Sequence, residues 1–213
     1  MKKFIWQNRV FLGLYALFLV IGAVLIFRYE KGAEIIYFSA LHNSYSDTFF
    51  VWITRLAEAP MLVLIIGFSL RNGLRNGLIV GLNVLLTFTI TSFLKLMVFP
   101  GSDRPSVYFE GKTTLNFVQG VEIYHHHSFP SGHTSSAFAL FFMLSILAEN
   151  KKWSYLFFTL ALLVGISRVY LLEHFFSDVY FGSLTGMAVT VIFYLIFVRS
   201  RFFENLEWRK NNC

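Results

Sequence analysis

Charged side chains are scarce in this 213-residue chain: Asp, Glu, Lys and Arg make up 14% of it, against about 25% in ordinary soluble domains. With 56% hydrophobic residues and a mean hydropathy of +0.60, that shortage excludes a soluble domain and identifies a membrane protein. Cysteine is nearly missing. The single thiol, Cys213 at the very end, excludes an intrachain disulfide and a cysteine metal cluster, and says little about redox compartment. Room for a soluble domain is also lacking, because six spans of about 20 residues with short loops nearly exhaust the length. The basic start is shared with signal peptides, but the apolar run Val10 to Phe27 exceeds the usual h-region and lacks a clear Ala-x-Ala site. An uncleaved first span is expected. The net charge of +6 does not point to nucleic acid, because most Lys and Arg fall at the ends of apolar runs.

What is present reads as an all-α bundle of six transmembrane helices forming one domain, residues 1–213. Tyr29 to Thr54 is mixed and aromatic, and is expected to be a loop with one or two interfacial helices. Ala59 to Leu70 is short for a second span, which must borrow residues from Phe49 onward or lie partly shielded by neighbours; Arg55 and Glu58 would pair on one face before it. The third span runs from Gly77 to about Leu94, with Gly73, Gly77 and Gly81 spaced for close helix approach. A long polar stretch, Val98 to Phe129, contains His125, His126 and His127, read as a wet loop because consecutive histidines cannot all face one ion. The fourth helix follows Pro130 and reaches Ala148. Trp153 to about Leu172 makes the fifth and Val179 to Val198 the sixth, where Gly182 and Gly186 suit packing inside the bundle.

Eleven of the eighteen Lys and Arg, namely Lys2, Lys3, Arg9, Arg71, Arg75, Lys151, Lys152, Arg199, Arg201, Arg209 and Lys210, fall on one face. By the positive-inside rule that face and both termini are cytoplasmic. The opposite, outer face gathers three clusters: Lys95 with Arg104 and Pro105; Pro130, Ser131, Gly132 and His133; and Ser167, Arg168, His174 and Asp178. Ionisable groups at a membrane edge are functional candidates by default.

Their chemistry suits a phosphate ester, whose transfer needs charge stabilisation at the equatorial oxygens. Lys95, Arg104 and Arg168 would supply it, arginine as a bidentate fork and lysine as a point charge. Ser131 and Gly132 open a helix, so free N–H groups would face the same anion. His174 would be the nucleophile and Asp178, four residues on, would aim its imidazole from the same helical face. His133 would protonate the leaving oxygen and then activate water for hydrolysis of the phosphohistidine. Six residues of straight helix advance about 600°, leaving Arg168 and His174 about 120° apart, so a break is expected between them.

These residues resemble the type 2 phosphatidic acid phosphatase family, which shares its site with bacterial vanadium haloperoxidases. The family pattern is a Lys separated from Arg-Pro, then Pro-Ser-Gly-His, then Ser-Arg with His six residues after the Arg and Asp four further on. The second motif is complete at Pro130 to His133 and the third at Ser167 to Asp178. The first departs: eight residues rather than six separate Lys95 from Arg104. Either the insertion bulges outward or Lys95 is shifted from its contact. The resemblance covers about residues 78–198. It implies a lipid phosphate or diphosphate substrate of the phosphatidic acid, phosphatidylglycerol phosphate, undecaprenyl diphosphate or lipid A class, phosphorylation of His174, no required metal and no cofactor. It also implies no nucleic-acid partner, and leaves the oligomeric state open. Two other readings stand beside it: an intramembrane serine protease using Ser131 with His174, and a lipid-binding or transport protein without turnover. Glu173 reads as a loop carboxylate, with tuning of the site as the sharper alternative.

Overall fold

The computed structural model describes residues 2–71 and 73–198. Arg199, Arg201, Arg209, Lys210 and Cys213, used above for topology and redox, lie outside them. Among the described residues every regular element is helical. A short α1 (Lys2–Gln7) leads into α2 (Arg9–Arg28), then α3 (Ala33–Ala40) and α4 (Ser44–Thr54), which passes through a 3-10 turn at Arg55–Ala57 into α5 (Ala59–Arg71). There follow α6 (Leu74–Phe93) with a π-helical turn at Leu94–Val98, α7 (Pro105–Tyr108), α8 (Gly132–Leu147), α9 (Trp153–Tyr170) and α10 (Phe176–Phe193), which ends in a second π turn, Tyr194–Val198.

Among the described residues four helices are long and apolar enough to cross a membrane: Arg9–Arg28, Leu74–Val98, Trp153–Tyr170 and Phe176–Val198. The protein is a multi-pass membrane protein. The expected second span is a broken one, with Ser44–Ala57 and Ala59–Arg71 meeting at 54°. Arg55 and Glu58 consequently share no helical face. Arg55 lies over the Trp52 ring at 4.3 Å, and Glu58 is extended backbone at the break. The fourth expected span is a 16-residue helix, short for lipid but enclosed by protein.

That helix, α8, is the axis of the bundle. Its run from Ala137 to Met143 is apolar all round, the pattern of a helix with no lipid or water face, and it packs against α6, α9 and α10. Asn83 Nδ2 donates to Ala139 O at 3.0 Å and lies 3.1 Å from Thr190 Oγ1, which joins α6, α8 and α10 through one buried amide. The glycine pair of α10 works within the chain, as its spacing suggested. A Cβ at Gly182 would stand 2.7 Å from Ser131 O, and one at Gly186 would overlap Ser135 O. Gly77 and Gly81 likewise receive Leu70 and Ile66 of α5, whereas Gly73 sits outside the helix in the turn before α6, at φ +126°.

Gly186→Ala is therefore expected to destabilise the folded chain by about 1–3 kcal/mol, the usual cost of overpacking, as a lowered unfolding temperature in detergent. Gly13→Ala, where nothing stands within 4 Å of the new methyl, should be neutral or slightly stabilising.

Candidate functional site

The site is built on a reversal of the chain between α9 and α10. Arg168 is in the last turn of α9, and its carbonyl accepts from both Glu173 N (3.0 Å) and His174 N (3.1 Å). Leu172, at φ +59°, turns the chain there. This is the break expected between Arg168 and His174. It also corrects one detail: His174 precedes α10 rather than sitting in its first turn, so the pair with Asp178 is not a helical i, i+4 pair. Asp178 reaches back instead, its Oδ2 accepting from Phe175 N at 3.1 Å and lying 3.5 Å from His174 Nδ1.

The other motifs are drawn to this reversal by main-chain contacts. Ser131 caps α8, its Oγ accepting from Thr134 N (3.5 Å) and Thr134 Oγ1 (2.9 Å), while Ser131 N donates to Asp178 O at 3.0 Å. One hydrogen bond thus joins the second motif to the third. Gly132 and His133 form the first turn of α8. Lys95 lies in the π turn, where Phe99 N bonds Leu94 O at 2.8 Å. Its Nζ would be 3.8 Å from a Cβ on Gly132. The π turn takes up one residue more than an α-helical turn would, and with it the Lys95 ammonium stands beside the start of α8.

Arg104 and Arg168 meet across Glu173. Arg104 Nη1 donates to Glu173 Oε2 at 2.5 Å and to Glu173 O at 3.1 Å, and Arg168 Nη2 lies 3.5 Å from the same Oε2. Arg104 is held from behind by the loop of three histidines: its Nε donates to His126 O (3.1 Å) and its backbone N to His125 O (2.9 Å). His125 and His126 hold Arg104 through their carbonyls; the rings of all three histidines are exposed, that of His126 lying 3.2 Å by Nδ1 from Asp103 Oδ1. Arg168 is 5% exposed, donates from Nη1 to Thr54 Oγ1 at 2.8 Å, and among the described residues its buried Nε has no hydrogen-bond partner. A buried guanidinium edge without an acceptor is costly. It fits an anion.

His174 is 1% exposed. Burial, then Arg104, Lys95 and Arg168, hold its pKa well below the ordinary imidazole range, so near neutrality it carries a lone pair. Ser128 Oγ lies 3.3 Å from His174 Nδ1 and donates to Asp178 Oδ2 at 2.5 Å. With one hydroxyl proton committed to the carboxylate, the serine oxygen accepts Nδ1–H, which fixes the tautomer and leaves the free lone pair on Nε2. His133 is in the first turn of α8, whose capping residue Ser131 is bonded to Asp178 O. Ser128→Ala should remove about one hydrogen bond's worth of aim, about 1 kcal/mol or roughly a fivefold fall in kcat, with KM held. A loss as large as that of His174→Ala would mean that the serine reacts rather than orients.

Four contributors were not legible. Ser128 stands three residues before the helix-capping serine, and nothing in its spacing marks it. Thr54 and Glu34 come from the part of the chain that resembled the family only in general character. Glu34 Oε1 accepts from Phe176 N at 2.9 Å, capping α10 from α3. Glu173 was visible beside His174, but not its grip on both arginines.

The PAP2 superfamily model matches residues 76–202. Lipid phosphate phosphatase 1 of Arabidopsis thaliana is 34% identical over 146 residues, 57% of this chain and 44% of its own length. Phosphatidylglycerophosphatase B of Bacillus subtilis is 37% identical over 78 residues, 32% of this chain and 37% of its own. The chain spans 44% and 57% of the two plant lipid phosphate phosphatases it matches. Among solved structures, Aquifex aeolicus LpxE aligns with a TM-score of 0.65 and 25% identity, covering 76% of this chain and 92% of that one. A Bacillus subtilis phosphatidylglycerolphosphate phosphatase shares the fold at a TM-score of 0.58, over 89% of this chain and 96% of its own. The family match takes in Lys95, the Pro130–His133 turn and the Arg168–Asp178 reversal, so the chain described here belongs to the PAP2 superfamily.

Proposed function

We propose that this protein is a membrane phosphatase that hydrolyses a lipid phosphate or diphosphate at the outer side of the cytoplasmic membrane through a phosphohistidine. The observation that carries the reading is the convergence, at one end of the bundle, of three cationic side chains with a buried imidazole oriented by a carboxylate. The names of its relatives, lipid phosphate phosphatase among them, support a lipid substrate.

In this reading the four long helices, the broken pair and α8 make six passes. Lys95, Ser131, Arg168 and Asp178 all lie at helix ends of one side, and Arg71, Arg75, Lys151 and Lys152 at the other. The positive-inside rule then turns the site outward. The acyl or prenyl chain stays in the bilayer while the phosphate enters among Lys95, Arg104, Arg168 and the first N–H groups of α8. His174 Nε2 attacks phosphorus, the bond from phosphorus to the lipid oxygen breaks, and His133 gives that oxygen its proton. Water then attacks the phosphohistidine, His133 takes the water proton, and the N–P bond breaks to release inorganic phosphate.

The serine protease reading gains no support, since Ser131 Oγ is engaged in capping α8, accepting from Thr134 N and Thr134 Oγ1. The deciding experiment is phosphate release by the purified chain in detergent from a panel of phosphatidic acid, phosphatidylglycerol phosphate, undecaprenyl diphosphate and lipid A phosphates. Turnover of at least one, inhibited by vanadate, is expected. Binding of these lipids with no phosphate released by the wild type would favour the non-enzymatic reading.

A further inference from the structure

Glu173 sets its carboxylate against the two arginines read above as phosphate ligands. A single carboxylate oxygen, Oε2, lies between the two guanidinium groups, at 2.5 Å from Arg104 Nη1 and 3.5 Å from Arg168 Nη2. The side chain is 3% exposed, and its backbone is fixed at both ends, N to Arg168 O and carbonyl to Arg104 Nη1. The carboxylate is therefore held in place by the groups that the proposed reaction uses for phosphate. Carboxylate and phosphate oxygens satisfy the same guanidinium fork.

We propose that Glu173 is a built-in competitor for the phosphate cradle: its carboxylate holds Arg104 and Arg168 in the absence of substrate and must yield part of that contact when a phosphate binds. This rests on the reading of the two arginines as phosphate ligands. A phosphate dianion wins the exchange through its greater charge and number of oxygens, with Lys95, the α8 N-terminus and Arg168 Nε adding contacts that a carboxylate anchored at residue 173 does not make. After hydrolysis the same carboxylate returns to the arginines and helps free phosphate leave. Burial pushes the Glu173 carboxyl above the ordinary range, against the pull of Arg168 and Arg104, so a carboxylate moved off its arginines is poorly accommodated as an ion. The affinity lost to this competition is the cost of a cradle that does not keep its product. A purely structural clasp predicts the reverse, because removing it would leave two buried cations without a counter-ion and a disordered cradle.

The test uses the full-length chain in detergent as wild type, Glu173→Gln and Glu173→Asp. Inhibition by inorganic phosphate and by vanadate, KM and kcat for the best lipid phosphate, and unfolding temperature with and without phosphate are measured. Glu173→Gln should bind phosphate and vanadate at least about tenfold more tightly, lower KM by a similar factor, and lower kcat where product release limits the rate. Its unfolding temperature should fall without anion and rise with phosphate by more than that of the wild type, because the ligand now supplies the missing counter-charge. Glu173→Asp, whose shorter side chain cannot span both arginines, should lie between the two, and carries the test if the Gln variant does not fold. Unchanged or weaker phosphate binding in a folded variant overturns the proposal. If the wild type binds neither anion, or if Arg168→Ala binds them as well as the wild type does, the reading of the arginines as phosphate ligands falls first and this one with it.

Discussion

His174→Ala is expected to abolish phosphate release, by at least about 10⁴-fold in kcat, because the bond-forming atom itself is lost. Radiolabel from a phosphate-labelled lipid should be recoverable on the wild-type chain after alkaline quenching and absent from the variant. The same residue sets the acid side of the pH profile. Its folded pKa is depressed by burial and three cations, so the neutral, nucleophilic form persists below the ordinary imidazole value of about 6.5, and the acid limb of kcat/KM should lie below that value. Stability follows the same sign: the unfolded chain takes up a proton at about 6.5 that the folded one refuses, so this residue's contribution is present above that pH and is lost progressively as pH falls from there through the depressed folded value. An acid limb above 6.5, with chemistry rate-limiting, would remove His174 from the role.

Arg168→Lys carries the second large effect, a fall of roughly 10²- to 10³-fold in kcat/KM, of the order seen when one oxyanion-stabilising donor is removed. The change keeps the charge and the membrane-edge position. What goes is the planar fork, which at once holds Thr54, meets Glu173 and presents a buried Nε without an acceptor. A single ammonium cannot satisfy those three directions. Arg55→Lys, at an exposed residue stacked on Trp52, should change kcat/KM less than twofold. If the two variants behaved alike, the cradle would require only positive charge rather than a guanidinium, and the bidentate account would fail. Vanadate affinity gives an independent reading, since it should fall with kcat/KM in Arg168→Lys and stay constant in Arg55→Lys.

Helix content, the third, fifth and sixth long apolar runs, the break after Arg168 and the residues gathered at one end were all readable from apolar runs and motif order. The reason is physical: membrane helices are written as long apolar stretches, and the charges that interrupt them are too costly to be casual. The 54° break between α4 and α5 was harder, because a half-length apolar run is equally compatible with a short span, a borrowed one or a bent one. Contacts distant in sequence were harder still. Thr54 lies 114 residues from the arginine it steadies, and Glu34 lies 142 from the helix it caps; neither bond has a local pattern. Ser128 belongs to a loop, where no helical or strand period says which side chain turns inward. Glu173 was read as a loop carboxylate because its neighbour's chemistry was recognised and its own was not.

The π turn at Leu94–Val98 changes what the spacing of the first motif means. A turn with five-residue closure takes in an extra residue without ending the helix around it, so under the proposed function the place of the ammonium over Gly132 matters more than the count of residues to Arg104. Deleting residue 94 would rotate Lys95 by about 100° relative to α6 and leave its spacing to Arg104 unchanged, whereas a deletion at Pro100 or Gly101 would shorten that spacing and leave Lys95 in register. The change that a pattern search does not see is thus the one that displaces the ammonium.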